Sequence, residues 1–307
     1  MGAVGQRMPP REVAPAAAWA LRGRLLAFDR PRIMGVVNLT PDSFYDGGKL
    51  IADDVDTPNV SVAARRCEQL VGWGADVLDL GGESTRPGAT PVPPDRELAR
   101  VRPVIERLVA LGITAPISID TRHAEVAAGA ITAGAAIVND ISGLADPAMA
   151  DVVAAAEAGL VIGHLRGEPA TMQHEVRFVD VVREVADELA LAVERAMPAG
   201  IARERIVVDP GIGFGKAPEH SAALMAASCE LQAATGCPVL VGASRKSFLA
   251  TLIGDPKADR LAASIAAAVL AVERGAAIVR VHDVQQTAHA LQVAYAIDRA
   301  WRGGHPR

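Results

Sequence analysis

Gly74-Ala75-Asp76-Val77-Leu78-Asp79-Leu80-Gly81-Gly82 contains the unit that repeats along this chain. A helical pattern over Val60–Trp73 stops at Gly74, a residue that takes the left-handed backbone of a helix end without steric cost. Val77–Leu80 then forms a short, near-continuously apolar run, as expected of a parallel strand covered on both faces. At its C-terminal end the chain turns polar and glycine-rich, with Gly81-Gly82-Glu83. Gly134-Ala135-Ala136 and Gly275-Ala276-Ala277 repeat the helix-ending step before later runs.

Working outward, the same kind of run occurs at Ile33–Asn38, Ile117–Asp120, Ala136–Asn139, Leu160–His164, Ile206–Asp209, Val239–Gly242 and Ile278–His282. Helical patterns separate them, among them Arg96–Leu111, Ala124–Ala133 and Phe178–Ala199. Eight strand–helix units in 307 residues predict an α/β fold, a (β/α)8 TIM barrel in one domain over residues 31–301. An open doubly wound sheet is the alternative, but no G-x-G-x-x-G follows the first run. Residues 1–30 read as a short N-terminal extension broken by Pro9, Pro10 and Pro15, with a short helix or strand possible over Ala16–Phe28, and 302–307 as a polar C-terminal tail.

Each run ends in a polar or glycine-rich cluster at its C-terminal side: Asn38, Gly81-Gly82-Glu83, Asp120, Asn139-Asp140, His164, Asp209, Ser244-Arg245-Lys246 and Arg280-His282-Asp283. In a barrel these ends converge on one face, where barrel active sites lie. Composition excludes other classes. Lys plus Arg (31) do not outnumber Asp plus Glu (36), unlike the usual nucleic-acid binder, and 3% aromatics leave few stacking platforms. Cys67, Cys229 and Cys237 make no CxxC pair and no zinc spacing, which suggests buried thiols in a reducing compartment. No apolar run reaches the ~18 residues of a membrane helix. The longest, around Ala262–Val272, reads as a buried helix. A cytoplasmic protein is expected, without nucleic-acid or membrane partners.

The tips also suggest chemistry. Asn38 offers a neutral oxygen to a hard cation that also binds phosphate, or makes an Asx turn. Arg86, between Thr85 and Pro87, is placed to clamp an anion, unless it is merely solvated. Asp120 and Asn139 offer acceptors to a flat heterocycle, or cap the helices that follow. Asp209-Pro210-Gly211-Ile212-Gly213-Phe214-Gly215-Lys216 looks like a phosphate loop but is one residue short and lacks the following Ser or Thr. Asp209 is read as a polar-edge reader with Phe214 as a wall, and Lys246 as a donor to a ring carbonyl or nitrogen. Arg280 and His282 alternate with Val281 and face the same side, a pair suited to a diphosphate. No nucleophile elbow and no H-E-x-x-H occur. The site therefore binds a neutral polar ring deep and an anion at the rim, and works by positioning and electrostatics.

The segments Ile33–Phe44, Gly81–Gly88, Asp209–Lys216, Ser244–Ser247 and Arg280–Asp283 resemble, in order, the motifs of the dihydropteroate synthase family, across roughly residues 31–300. The resemblance implies a TIM barrel, usually a homodimer, that joins 6-hydroxymethyl-7,8-dihydropterin diphosphate to 4-aminobenzoate in folate biosynthesis. It implies Mg2+ as cofactor and sulfonamides as competitors of 4-aminobenzoate. It assigns the pterin to Asp120, Asn139, Asp209 and Lys246, with Arg280 stacking on it. Diphosphate and Mg2+ fall near Asn38, Arg86, Arg280 and His282, making Arg86, Lys246, Arg280 and His282 the catalytic set and Asn38 the metal ligand. The 4-aminobenzoate pocket draws on Thr85, Pro87, Phe214, Ser244 and Arg245, with Phe44 closing over it.

This chain departs from the family pattern in places. Gly163-His164-Leu165-Arg166-Gly167 stands where Met-His-Met-Gln-Gly is common, so Gly163 is expected to remove a side chain from the pterin pocket and Arg166 to add a charge. Lys49–Asn59 is longer than usual, and Ser221 replaces a common Asn. Two other functions compete: a methyltetrahydrofolate methyltransferase domain, which needs no cationic Thr85–Gly88 loop, and a non-catalytic pterin-binding paralogue, which Gly163 and the insert motivate.

Overall fold

The computed structural model describes residues 17–40, 58–84, 90–168, 171–173 and 176–304, the last four by backbone alone. In chain order the strands are β1 (Ala18–Leu21), β2 (Arg24–Ala27), β3 (Arg32–Asn38), β4 (Val77–Gly81), β5 (Ile117–Asp120), β6 (Ile137–Asp140), β7 (Gly159–Gly163), β8 (Ile206–Asp209), β9 (Leu240–Val241) and β10 (Ile278–Val281). The α-helices are α1 (Val60–Gly72), α2 (Pro94–Ala110), α3 (Ala124–Ala133), α4 (Met149–Ala155), α5 (Val181–Ala196), α6 (Pro218–Ala226), α7 (Ser228–Thr235), α8 (Ser247–Ile253), α9 (Leu261–Glu273) and α10 (Val284–Gly304).

Strands β3 to β10 form one parallel sheet in the order β8-β7-β6-β5-β4-β3-β10-β9. A parallel bridge between Val208 and Val239 joins its two edges, so the sheet curls into an eight-stranded barrel. The eight strands lie where the apolar runs predict, within a residue or two. Gly74, Gly134 and Gly275 end helices at φ +103°, +124° and +98°, as the repeat requires. Asn59 starts α1 by accepting from the Val62 amide at 3.1 Å.

Side chains alternate along each barrel strand between two buried faces. Leu78 and Leu80 face outward to the helices, packed with Val104, Ile105 and Leu108 of α2. Met34, Val77, Ile137, Val161, Val207, Leu240 and Ile278 face inward and form an apolar floor. The ambiguous segment before residue 30 is a hairpin, β1 against antiparallel β2. Its Trp19 and Leu21 plug the barrel below that floor. Trp19 is fully buried, and its indole donates to the Arg205 carbonyl at 2.7 Å. The residues read as an extension therefore supply the barrel's bottom.

Two further readings change. The apolar run at Ala262–Val272 is α9, but only its Ser264–Ala267–Ala268–Ala271 face is buried, and Leu270 is 57% exposed. A barrel's outer helix has one face on the sheet and one in solvent, so its composition overstated its burial. The expected tail begins later than residue 302, because α10 continues to Gly304. Among the described residues no helix is long and apolar enough to cross a membrane.

Candidate active site

Two residues beyond the floor, the same strands point their next inward side chains into the barrel mouth. There the sequence switches from Val77, Ile137, Val207 and Ile278 to Asp79, Asn139, Asp209 and Arg280, and on β5 Asp120 follows the buried Ser118. Parallel register sets the row: Gly81 lies beside Asp120, and Asp120 beside Asn139. Arg280 reaches across it. Its Nε donates to Asp79 Oδ2 at 2.6 Å and its Nη2 to Asp120 Oδ2 at 2.6 Å. Asn139 Nδ2 donates to the same Asp79 oxygen at 3.1 Å. Asp79 is fully buried, and such a carboxylate is tolerated only when paired.

Burial and the neighbouring Asp79 charge lift the Asp120 carboxyl to about 7, against the pull of Arg280. Burial also raises Asp209, whose Oδ1 accepts from the Gly211 amide at 2.7 Å. Lys246 is pushed down to about 8 by burial, which Asp209 opposes. The Arg280 guanidinium holds its proton more firmly than usual, because Asp79 and Asp120 outweigh its desolvation. Asp120 Oδ1 is buried without a hydrogen-bond partner among the described residues. A buried acceptor in that state has unused capacity for a donor on a bound ring.

Around this row, Lys246 Nζ bonds the Ile212 carbonyl and lies 4.1 Å from the centre of the Phe214 ring. Ser244 Oγ accepts from the His282 amide at 3.2 Å and sits 3.1 Å from His282 Nδ1, so it orients that ring. Arg245, at φ +58°, makes a two-point pair with Asp283 at 2.8 and 2.7 Å. Its guanidinium thus braces the loops after β9 and β10.

A family model described as pterin binding enzyme matches residues 34–282. The dihydropteroate synthase of Neisseria meningitidis serogroup B is 46% identical over 277 residues, covering 89% of this chain and 94% of that protein. The chain belongs to the pterin-binding enzyme family. Among solved structures, Burkholderia cenocepacia dihydropteroate synthase complexed with 7,8-dihydropteroate is similar at a TM-score of 0.81 and 45% identity, covering 94% of this chain and 99% of that one. Xanthomonas albilineans dihydropteroate synthase with 4-aminobenzoic acid matches at 0.82 and 44%, covering 92% and 98%.

Of the residues expected to line the pterin-binding site, Asp120, Asn139, Asp209, Lys246, Arg280, His282, Ser244 and Phe214 all lie at strand ends or on the loops that leave them. Asn38 ends β3 beside Gly81, on the same rim. Phe44, Thr85, Arg86 and Pro87 lie outside the described residues. After β6 the local turn is not made by Asn139. Asp140 takes the local work, accepting from the Ser142 and Leu144 amides at 2.7 and 2.9 Å, and Asn139 turns inward. Nor does Asp120 cap α3, whose Ala124 amide donates to Asp146 instead.

Three groups escaped the sequence reading. Asp79 sits inside a run counted as apolar, and a lone charge in a buried strand was its signal. Lys216 was set aside with the failed phosphate-loop pattern, yet it is buried against His164. Glu83, Glu97 and His123 place three ligand atoms within 4.8 Å of one another. They are already engaged with other side chains: Arg122 donates to Glu83 at 3.0 Å and His123 Nδ1 lies 2.8 Å from Glu97. Glu83 also accepts from the Val92 amide at 2.9 Å, and Arg100 Nη1 donates to the Gly82 carbonyl at 2.8 Å, so both flanks of residues 85–89 are tied down.

The departures have local explanations. A Cβ at Gly163 would lie 2.7 Å from Ile141 Cα and 3.0 Å from the Asp140 carbonyl. Backbone crowding, and not the loss of a pocket side chain, requires glycine there. Arg166 bonds Glu184 and Glu188 and stacks on Phe178 at 4.1 Å, so its charge is spent outside the ring site. Ser221 Oγ accepts from the Gly213 amide at 3.2 Å and holds the glycine loop. The insert over Lys49–Asn59 lies outside the described residues up to 57.

Proposed function

We propose that this chain condenses 6-hydroxymethyl-7,8-dihydropterin diphosphate with 4-aminobenzoate to give 7,8-dihydropteroate and diphosphate, a transferase step of folate biosynthesis. The observation that carries this reading is the Asp79–Arg280–Asp120–Asn139 network, seated on an apolar floor in the barrel mouth with two carboxylate oxygens, Asp79 Oδ1 and Asp120 Oδ1, still unpaired among the described residues. Asp120, Asn139 and Asp209 would accept from and donate to the pterin edge, with Lys246 on a ring nitrogen or carbonyl. Arg280, already anchored at two points, would present its face to the ring.

The reaction breaks the bond from the exocyclic carbon to diphosphate oxygen, and the electron pair leaves with diphosphate. The dihydropterin ring spreads the resulting positive charge. The aromatic amine nitrogen then bonds to that carbon and gives up one proton. No protein nucleophile is needed. Arg86 and His282 would neutralise the departing anion, and Ser244 would fix the His282 ring. Phe214 would wall the 4-aminobenzoate pocket with Thr85, Pro87 and Phe44, and Arg245 would support it through Asp283.

Mg2+ is assigned to Asn38, at the end of β3, which would add one neutral oxygen to a hard cation that takes most of its shell from substrate phosphate and water. Bound there, the ion supplies charge neutralisation to the leaving diphosphate. Pairing of two copies is part of the proposal. Leu252 and Ile253 of α8, Leu270 of α9 and Val293, Tyr295 and Ile297 of α10 are large exposed apolar side chains on the barrel's outside. Sedimentation velocity tests it. We place the enzyme in the cytoplasm, where free, buried Cys67 and Cys237 persist as thiols.

Purified protein with both substrates and Mg2+ should release diphosphate and form dihydropteroate. An absence of product would favour a binding protein, and methyl transfer to cobalamin a methyltransferase. An Arg86→Ala variant with wild-type turnover would remove Arg86 from the mechanism.

A further inference from the structure

The loop after β8, Asp209–Lys216, carries glycines at φ +66°, +78° and +58° and so has no regular hydrogen bonding of its own. Its carbonyls must each find a donor. The Gly211 carbonyl accepts from the Phe214 amide at 3.0 Å, and that of Ile212 from Lys246 Nζ. Gly213 accepts from Gln173 Nε2 at 2.8 Å, and Phe214 from Lys216 Nζ at 2.9 Å. The loop also presses on β7. A Cβ at Gly211 would fall 1.9 Å from the His164 carbonyl.

Lys216 is 3% exposed. Besides the Phe214 carbonyl it meets His164 Nδ1 at 3.0 Å and the His164 carbonyl at 3.3 Å. Three acceptors match the three protons of an ammonium and leave none for a substrate. An ammonium cannot accept, so His164 carries its lone pair on Nδ1 and its proton on Nε2, which donates to Glu188 Oε2 at 2.9 Å. Arg166 in turn holds Glu188, its Nε donating at 3.0 Å. A chain of charge-assisted bonds thus runs from α5 through His164 and Lys216 to the backbone of Phe214. Burial and the adjacent ammonium keep His164 neutral, its pKa lowered to about 4.

We propose that Lys216 and His164 form a latch that holds the Phe214 loop in its binding shape, setting affinity for the aromatic amine substrate without touching it. This rests on the reading of Phe214 as a wall of the 4-aminobenzoate pocket. Lys216 is a positioning residue. When a loop holds its competent shape only part of the time, apparent affinity falls by that fraction, while the bound complex reacts as before.

Burial lowers the Lys216 pKa to about 7, so steady-state kinetics of the full chain about one pH unit below that, where most of Lys216 keeps its proton, test the latch. Lys216→Met should raise KM for 4-aminobenzoate about ten-fold, the scale of one lost charge-assisted bond. Turnover and KM for the pterin diphosphate should stay within about three-fold. Glu188→Ala, at a side chain 41% exposed and so tolerant of change, should raise the same KM about two- to three-fold. Nitrogen-15 NMR supplies a readout that lost packing does not move. The charged groups facing His164 are Lys216, Glu188 and Arg166, and removal of the Lys216 charge should raise the His164 pKa. A product-forming Lys216→Met with unchanged KM, or with both KM values and turnover equally impaired, overturns the latch. A folded wild-type chain that forms no product overturns the synthase reading, and the latch with it. If Lys216→Met does not fold, Glu188→Ala decides: a wild-type KM there overturns the latch.

Discussion

The barrel floor and the layer just above it are built largely by the same strands, two residues apart, and they do opposite things. The floor, Met34, Val77, Ile137, Val161, Val207, Leu240 and Ile278 under Trp19, is dry and apolar, and burial there stabilises the fold. The layer above buries Asp79, Asn139 and Asp209 and half-buries Asp120 and Arg280, at a desolvation cost that pairing only partly offsets. One layer holds the barrel, and the other is ready to exchange internal partners for a substrate.

Arg280→Met strikes the contrast hardest. It leaves Asp79 and Asp120 buried without their shared cation. Stability should fall by about 3–5 kcal/mol in urea titrations, and product formation should be lost. Adding Asp79→Leu should restore much of the stability and none of the activity, because an apolar pair replaces the orphaned charge. Recovery of activity in that double variant would deny the polar layer its role. Trp19→Ala, in the floor, should cost about 3–5 kcal/mol of stability by the same titration. The protein that remains folded should keep its kcat/KM. A selective loss of activity there would show that the two layers are not separable.

A smaller effect concerns pH. Burial lifts the Asp120 carboxyl to about 7, and only as the anion can both of its oxygens accept, one from Arg280 and one from the ring. The kcat/KM for the pterin diphosphate should therefore fall as pH drops below about 7, and Asp120→Asn should be low and flat over that limb. Stability responds with the opposite sign. The raised carboxyl favours the folded state while protonated, so this contribution is full below about 4 and is lost as pH rises through about 7. The smallest effect lies outside both layers. Arg102 and Glu106 pair on α2 with side chains 57% and 50% exposed, and Arg102→Ala should change stability by less than about 0.5 kcal/mol.

Much of this was legible from residues alone. The eight apolar runs, the glycines that end helices and the polar tips are local patterns, and Ile117–Asp120 and Ile206–Asp209 appear as strands with the same bounds. Motif order carried the family. Local pattern failed where a residue's meaning depended on distant partners. Asp79 looked like an interruption in an apolar run, and Lys216 like the end of a failed motif. The hairpin at Ala18–Ala27 looked like an extension because the floor it plugs is assembled from strands spread over the rest of the chain.

The sequence by itself determined the strand–helix repeat and the chemistry placed at its tips, because period-two alternation and helix ends depend on near neighbours. Tertiary structure alone decided which tips meet. Closure of the sheet brings Arg280 to Asp79 across 201 residues and Lys216 to His164 across 52. Buried charges settle only beside partners that satisfy them, and no stretch of chain contains both members of those pairs.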